Sequence, residues 1–190
     1  MPENFLKVAA GLNTEPLRLA LERQPELFGR HGERKYAPDS PHATMTDLWV
    51  RYADYRPFEA SGDWSGFRDP HQAVWYPEAA AIPEVRPVVF DLMRIVEAEF
   101  LAGVLITKLP PGGRIERHVD TGWHAATFHK FFVPINNAPG AKFCFEEGDL
   151  EPVNGDAWLF RNDVPHWVVN DSTEDRVAMI VCLGFSASMQ

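Results

Sequence analysis

The sequence lacks the two features that would indicate a nucleic-acid or a membrane partner. It has no cluster of Lys or Arg, and its formal net charge is −9. An acidic chain of this kind is a poor candidate for binding nucleic acid or an anionic membrane surface. It also has no apolar run near the ~20 residues that a membrane-spanning helix needs. We therefore expect neither a nucleic-acid nor a membrane partner.

Cysteine is scarce as well. Cys144 and Cys182 are the only two, and both lie in apolar, strand-like runs. This setting predicts buried thiols and not a disulfide framework. The first residues show no basic segment followed by an apolar one, so no secretory signal is evident. We expect a cytoplasmic protein.

Bulky apolar residues are plentiful by comparison. The chain has 190 residues, of which 45% are hydrophobic and 12% aromatic, enough to build a substantial core. We expect a single domain over residues 1–190. A change of pattern near Gly103 divides it into a helical N-terminal layer with one added strand, residues 1–102, and a β-rich core that carries the site, residues 103–184.

Helical spacing of apolar residues is confined to the first part of the chain. It predicts one helix over residues 14–24 and a longer one over residues 83–103. Thr14 stands where an N-cap residue is expected, and Gly103 stands where a helix commonly ends.

Short apolar runs separated by turn residues predict the strands. One strand is expected within residues 43–55, followed by an ordered loop over residues 56–83 that is rich in Pro, Gly and Trp. The remaining strands are expected at residues 103–109, 129–135, 142–147, 156–160, 166–170 and 176–185. Several short strands at near-regular spacing are typical of a sandwich or barrel, so the fold should be mainly β with the helices packed against it.

The histidines suggest a metal site. His118 and Asp120 are two residues apart, and in an extended segment such residues point to the same face. His166, at the start of a later strand, is the best third ligand, since His124 and His129 fit better as neighbours of the site. Two histidines and one carboxylate form the ligand set of non-haem Fe(II) oxygenases, and zinc hydrolases can use the same set.

Arg176 helps to choose between these metals. It opens an otherwise apolar strand and shares a face with Ala178, Ile180 and Cys182. A buried Arg is costly unless an anion pairs with it, and its planar fork of donors suits a carboxylate. An iron site whose co-substrate is a dicarboxylate such as 2-oxoglutarate needs such a residue.

These motifs together resemble a known family. The "HVD" at 118–120 and the pattern His166, Asn170, Ser172 and Arg176 in "PHWVVNDSTEDR" are similar to those of the Fe(II)/2-oxoglutarate dioxygenases, and most similar to the aspartyl/asparaginyl β-hydroxylase-like branch. The resemblance covers roughly residues 103–184. It implies a double-stranded β-helix, the jelly-roll fold that cupins also have.

The resemblance also implies roles for individual residues. His118, Asp120 and His166 would bind Fe(II), and Arg176 would bind the distal carboxylate of 2-oxoglutarate. Thr107 falls where members of the branch often carry a hydroxyl residue near that carboxylate. Lys130 falls where many members place an Arg that assists co-substrate binding.

The implied activity is hydroxylation of a C–H bond in a peptide, an amino acid or a small molecule, with release of succinate and CO2. Trp49 and Arg51, two apart in one strand, are candidates for the substrate mouth, as is Trp123. Two other functions stay open: a cupin-like binding protein without redox chemistry, and a zinc-dependent hydrolase that uses the same ligands. The oligomeric state cannot be read from the sequence.

Overall fold

Two facing antiparallel β-sheets and a layer of helices make up the computed structural model, which describes residues 4–32 and 34–186. The strands are β1 Phe5–Ala9, β2 Thr46–Ala53, β3 Ala73–Trp75, β4 Phe100–Leu109, β5 Arg114–His118, β6 His129–Asn136, β7 Ala141–Phe145, β8 Gly148–Leu150, β9 Ala157–Phe160, β10 His166–Asn170 and β11 Arg176–Gly184. The helices are α1 Glu15–Arg23, α2 Arg56–Ser61, α3 Glu78–Ala81, α4 Val85–Val96 and α5 Trp123–Thr127, with a short 3-10 helix at Pro25–Leu27. The predicted mainly β architecture is confirmed.

The sheets differ in size. The larger has seven strands in the order β1-β9-β6-β11-β4-β2-β3, and the smaller has four in the order β5-β10-β7-β8. The last strand, β11, pairs with β4 on one side and with β6 on the other, so it lies at the centre of the large sheet.

Alternation of side chains builds a core on each face of the large sheet. Phe131 and Val133 in β6 and Met179 in β11 pack against the helices. Their neighbours Phe132 and Ala178 point the other way, towards the small sheet. The period of two along each strand therefore separates a helix-facing core from an inter-sheet core.

Helices α1 and α4 cover the outer face of the large sheet. Leu17 and Leu21 in α1 and Val89 and Leu92 in α4 are buried in the same cluster as the outward residues of β6 and β11. Each helix thus buries one apolar stripe. Within the described residues, no helix is both long and apolar enough to span a membrane.

Several predicted boundaries are wrong. Helix α4 ends at Val96, because Glu97 adopts a left-handed conformation with φ of 56°, and the chain is already extended at Phe100. Gly103 lies inside β4 and does not end a helix. Thr14 precedes α1 but makes no side-chain cap hydrogen bond.

The N-terminal part also contains more strand than expected. It contributes β1 and β3 in addition to the one predicted strand. The expected loop over 56–83 contains α2, β3 and α3. Strands of three to five residues at a sheet edge have too few residues to show a clear alternation, and their pairing depends on distant strands.

Candidate metal and co-substrate site

A cavity of about 440 Å³ opens between the two sheets. Its wall takes residues from β4, β6 and β11 of the large sheet, from β5, β7 and β10 of the small sheet, and from the loop after α1. Polar side chains from the two sheets therefore meet in this cavity.

The small sheet supplies the candidate metal ligands. His118 is the last residue of β5 and is paired in register with His166, the first residue of β10. Asp120 follows two residues later, and its N–H donates to the Asn162 carbonyl at 3.0 Å. One ligand atom from each of His118, Asp120 and His166 lies within 4.8 Å of the others. The three side chains that the sequence selected are thus brought together.

Hydrogen bonds orient both imidazoles towards the cluster. Nδ1 of His118 lies 2.7 Å from the Glu116 carbonyl oxygen, and Nδ1 of His166 lies 2.9 Å from that of Val164. A carbonyl accepts, so Nδ1 carries the proton and Nε2 keeps a lone pair for a ligand. Burial lowers the pKa of both histidines, which favours the neutral form that binds a metal.

Asp120 provides the negative charge of the cluster. Its carboxylate oxygens lie 3.7 Å from Nε2 of His118 and 3.8 Å from Nε2 of His166. Burial alone would raise the pKa of the Asp120 carboxyl, but the nearby Lys130 ammonium outweighs it, and the pKa lies below its ordinary value. Two neutral imidazoles and an ionised carboxylate are a donor set that fits Fe(II).

Lys130 donates a hydrogen bond to the candidate metal cluster itself. It lies in β6, and its Nζ donates to Oδ2 of Asp120 at 2.6 Å. An ammonium has three N–H donors, so others remain for a ligand in the cavity.

Arg176 lies in the same cavity with no anion beside it. It begins β11, is 2% exposed, and its guanidinium lies 5.2 Å above the ring of Phe132. Its Nε has no hydrogen-bond partner, and no carboxylate in the part of the chain that the structure describes forms an ion pair with it. Burial lowers the pKa of Arg176 to about 10. A buried cation in this state is costly until a ligand anion pairs with it.

Thr107 faces the cavity from the neighbouring strand. It lies in β4 opposite Ala178 of β11, and its hydroxyl donates to the Ala178 carbonyl at 3.3 Å. Its hydroxyl oxygen can still accept a hydrogen bond. Thr107 and Arg176 therefore share the large-sheet wall of the cavity, across from the candidate metal ligands.

The two candidates in β2 do not share a face. Trp49 pairs with Leu105 and lines the cavity, whereas Arg51 pairs with Val104 because a bulge shifts the register between them. The Arg51 guanidinium donates to the Leu101 carbonyl at 3.2 Å and lies 5.3 Å above the Trp75 ring. The shared face predicted from a period of two is therefore wrong.

Trp123 lies at the start of helix α5 and not on a strand. Its indole N–H donates to the Arg68 carbonyl at 2.6 Å. This bond ties the segment that carries Arg68, a cavity-lining residue, to the rim of the site.

Sequence reasoning missed several residues of the cavity wall, among them Tyr52, His42, Arg34 and Arg68. Tyr52 takes the place beside Trp49 that Arg51 was expected to occupy, with ring centroids 4.9 Å apart. His42 packs edge-on to His118 at 4.9 Å, and Arg34 donates to its Nε2 at 3.0 Å. Arg34 and Arg68 come from loops, where no periodicity indicates which way a side chain points.

Facing antiparallel sheets that enclose such a cluster are the architecture of the Fe(II)- and 2-oxoglutarate-dependent oxygenases, and solved structures support this fold. A prolyl hydroxylase from Trichoplax adhaerens, in complex with a hypoxia-inducible-factor peptide fragment, matches with a TM-score of 0.58 and 15% identity over 99% of this chain and 86% of its own. An oxidoreductase of the 2OG-Fe(II) oxygenase family from Burkholderia pseudomallei matches with a TM-score of 0.54 and 13% identity over 86% of this chain and 77% of its own. The predicted double-stranded β-helix is confirmed.

The family follows from the sequence match. The model of the aspartyl/asparaginyl β-hydroxylase family matches residues 55–183, more than half of the chain. The chain belongs to this family and is an enzyme of the 2-oxoglutarate-dependent oxygenase class, whose cofactor is Fe(II) and whose co-substrate is 2-oxoglutarate. No curated protein matches the chain by sequence.

Proposed function

We propose that this enzyme hydroxylates a C–H bond of a peptide, an amino acid or a small molecule, with release of succinate and CO2. The observation that carries the proposal is the pairing, in one cavity, of a His–Asp–His cluster with a buried Arg that has no protein anion beside it. A zinc hydrolase or a simple binding protein would need the His–Asp–His cluster at most, and not the buried Arg.

Different residues of the cavity would bind the metal and the co-substrate. His118, Asp120 and His166 would hold Fe(II), with Nδ1 of each imidazole fixed by a backbone carbonyl. Arg176 would bind the distal carboxylate of 2-oxoglutarate, and Thr107 and Lys130 would add hydrogen bonds to the same molecule. When bound, Fe(II) and 2-oxoglutarate would activate dioxygen, which is the oxidant for C–H hydroxylation and for the conversion of 2-oxoglutarate to succinate and CO2.

The substrate would enter past the aromatic and cationic rim. Trp49 lines the cavity, and Trp123 would act by holding the Arg68 segment in place. Arg51, already bonded to Leu101, would support this wall from behind. Four cationic side chains and two acidic ones line the cavity (Arg34, Arg68, Lys130, Arg176, Asp39 and Asp120). The acidic chain thus presents a cationic cavity, which suits a co-substrate with two negative charges.

The test is the visible charge-transfer band that forms when 2-oxoglutarate chelates Fe(II). We expect the band when both are added to the purified protein without oxygen, and succinate when air is admitted. His166→Ala should abolish both. His129→Ala is the matched control, because this exposed histidine packs against Phe185, outside the cavity wall, and it should keep both.

Two results would reject the proposal. The wild-type protein could bind Fe(II) and give no band with 2-oxoglutarate, which would favour the binding or zinc function. Alternatively, the His166→Ala variant could keep the band, which would remove this histidine from the metal site.

A further inference from the structure

Lys130 and Asp120 form an ion pair across the two sheets. Lys130 projects from β6, opposite Cys182 of the large sheet, and Asp120 follows β5 of the small sheet. Nζ and Oδ2 are 2.6 Å apart, and the two side chains are only 16% and 18% exposed. Water screens such a pair much less than it screens a pair on the surface.

Asp120 lies two residues beyond the end of β5, so no strand pairing holds it. Its backbone N–H donates to the Asn162 carbonyl. The side chain is held by the Lys130 ammonium. A cation bound by His118, Asp120 and His166 would therefore share its carboxylate with a resident positive charge.

We propose that Lys130 is a positioning residue that holds the Asp120 carboxylate and, by its charge, weakens the site's affinity for a divalent cation. The inference rests on the proposed function, in which Asp120 is a metal ligand. Lys130 would thus keep the site pre-organised while allowing the metal to exchange.

Two effects of Lys130 oppose each other, and their magnitudes decide the result. Loss of a hydrogen bond that orients a ligand typically weakens metal binding by about 10- to 100-fold. A unit charge a few ångströms from a divalent cation, in a site largely shielded from water, changes affinity by more than about a hundredfold. The charge effect should therefore win, and removing it should tighten binding.

Three substitutions separate charge from hydrogen bond. Lys130→Gln keeps a donor without the charge, Lys130→Met removes both, and Lys130→Arg keeps both. We expect Kd for Mn(II), measured by calorimetry or by the resonance signal of free Mn(II), to fall about tenfold or more in the Gln and Met variants. The Arg variant should bind as the wild type does.

If Lys130 served only the stability of the fold, its removal would destabilise the protein without tightening Mn(II) binding. Thermal unfolding in the presence of a chelator should show a lower midpoint for Lys130→Met, because a largely buried carboxylate loses its partner. General damage to the fold would not tighten Mn(II) binding. Tighter binding by a less stable variant would therefore indicate the effect of the Lys130 charge.

Lys7 and Asp156 provide the matched control. Their Nζ and Oδ2 are also 2.6 Å apart, in a pair formed by β1 and a residue just before β9. Lys7→Met should lower the midpoint and leave Kd for Mn(II) unchanged.

The outcomes are distinguishable. Unchanged or weaker Mn(II) binding in both Lys130→Gln and Lys130→Met, with binding still lost in His166→Ala, would overturn the role of Lys130 alone. If the wild type bound no Mn(II), or if His166→Ala bound it equally well, the metal site of the proposed function would fail first.

Discussion

Arg176 occupies a position that a stable fold alone would give to an apolar residue. It is buried beside Phe132, its Nε has no partner, and its pKa is lowered by burial. The physical reason to keep a cation there is a ligand that brings the missing anion.

Arg176→Met should therefore stabilise the protein in the absence of ligand and weaken its hold on 2-oxoglutarate. We expect the free energy of unfolding in urea to rise by about 1–3 kcal/mol. The affinity for 2-oxoglutarate should fall by about 10- to 100-fold, because a charge-assisted pair is lost.

Arg117→Met is the control, since Arg117 is exposed and pairs with exposed Glu146. It should change stability by less than about 0.5 kcal/mol and leave the affinity unchanged. A less stable Arg176→Met variant that binds 2-oxoglutarate normally would mean that Arg176 serves the fold only.

The two cysteines are buried and free, as predicted. Burial raises the pKa of Cys144 to about 12 and that of Cys182 to about 11. The thiolate is the reactive form, and a raised pKa leaves very little of it at pH 8. Iodoacetamide at pH 8 should leave both thiols unmodified in the native protein and label both in urea, as mass spectrometry would show. Rapid labelling of the native protein would contradict this burial.

At the scale of elements, two irregular positions shape the site and its support. The bulge in β2 turns Arg51 away and leaves Trp49 and Tyr52 on the cavity wall. A tight contact joins the segment before α1 to the turn before β9, where the Leu12 N–H donates to the Gly155 carbonyl at 2.8 Å.

Gly155→Ala should be strongly destabilising. Gly155 has a φ of +80°, and a Cβ there would lie 2.5 Å from the Leu12 carbonyl oxygen. Strain and overlap with backbone should lower the free energy of unfolding by about 3 kcal/mol. In Gly62→Ala, φ is +72° but no atom lies within 4 Å of the added Cβ, so the loss should be about 1 kcal/mol. Equal losses in urea unfolding would mean that the contact with Leu12 relaxes.

At the scale of the whole molecule, the site joins the two sheets. The candidate metal ligands lie at, or two residues beyond, the ends of strands of the small sheet, and Arg176 and Thr107 lie in the large sheet. The N-terminal helices share a core with the large sheet. We propose that the chain unfolds as a single domain.

Metal and co-substrate together should therefore stabilise the entire fold. At a ligand concentration of about 100 times Kd, the gain is about 2.7 kcal/mol for one site. Differential scanning calorimetry with Mn(II) and 2-oxoglutarate should show one transition that moves to higher temperature in the wild type and not in His166→Ala. Two transitions, of which only one moved, would separate the helical layer from the β core.

Local sequence patterns were enough to identify the candidate metal ligands and the candidate anion-binding residue. The spacing of His118 and Asp120, the position of His166 at a strand start and the polar residue that opens β11 are readable because strand alternation fixes side-chain direction over a few residues. The same reasoning predicted the buried stripes of α1 and α4 and most of the later strands. The roles of these residues in binding iron and 2-oxoglutarate stay predictions.

Contacts between distant parts of the chain decided the rest. The bulge in β2, the edge strands β1 and β3, the arginines at the cavity rim and the bond from Lys130 to Asp120 each depend on which strands or loops become neighbours. A residue's local periodicity carries no information about a partner that another sheet supplies. The sequence by itself therefore determined which residues could bind a metal and an anion, and only the tertiary structure decided what surrounds them, because that depends on the packing of the two sheets.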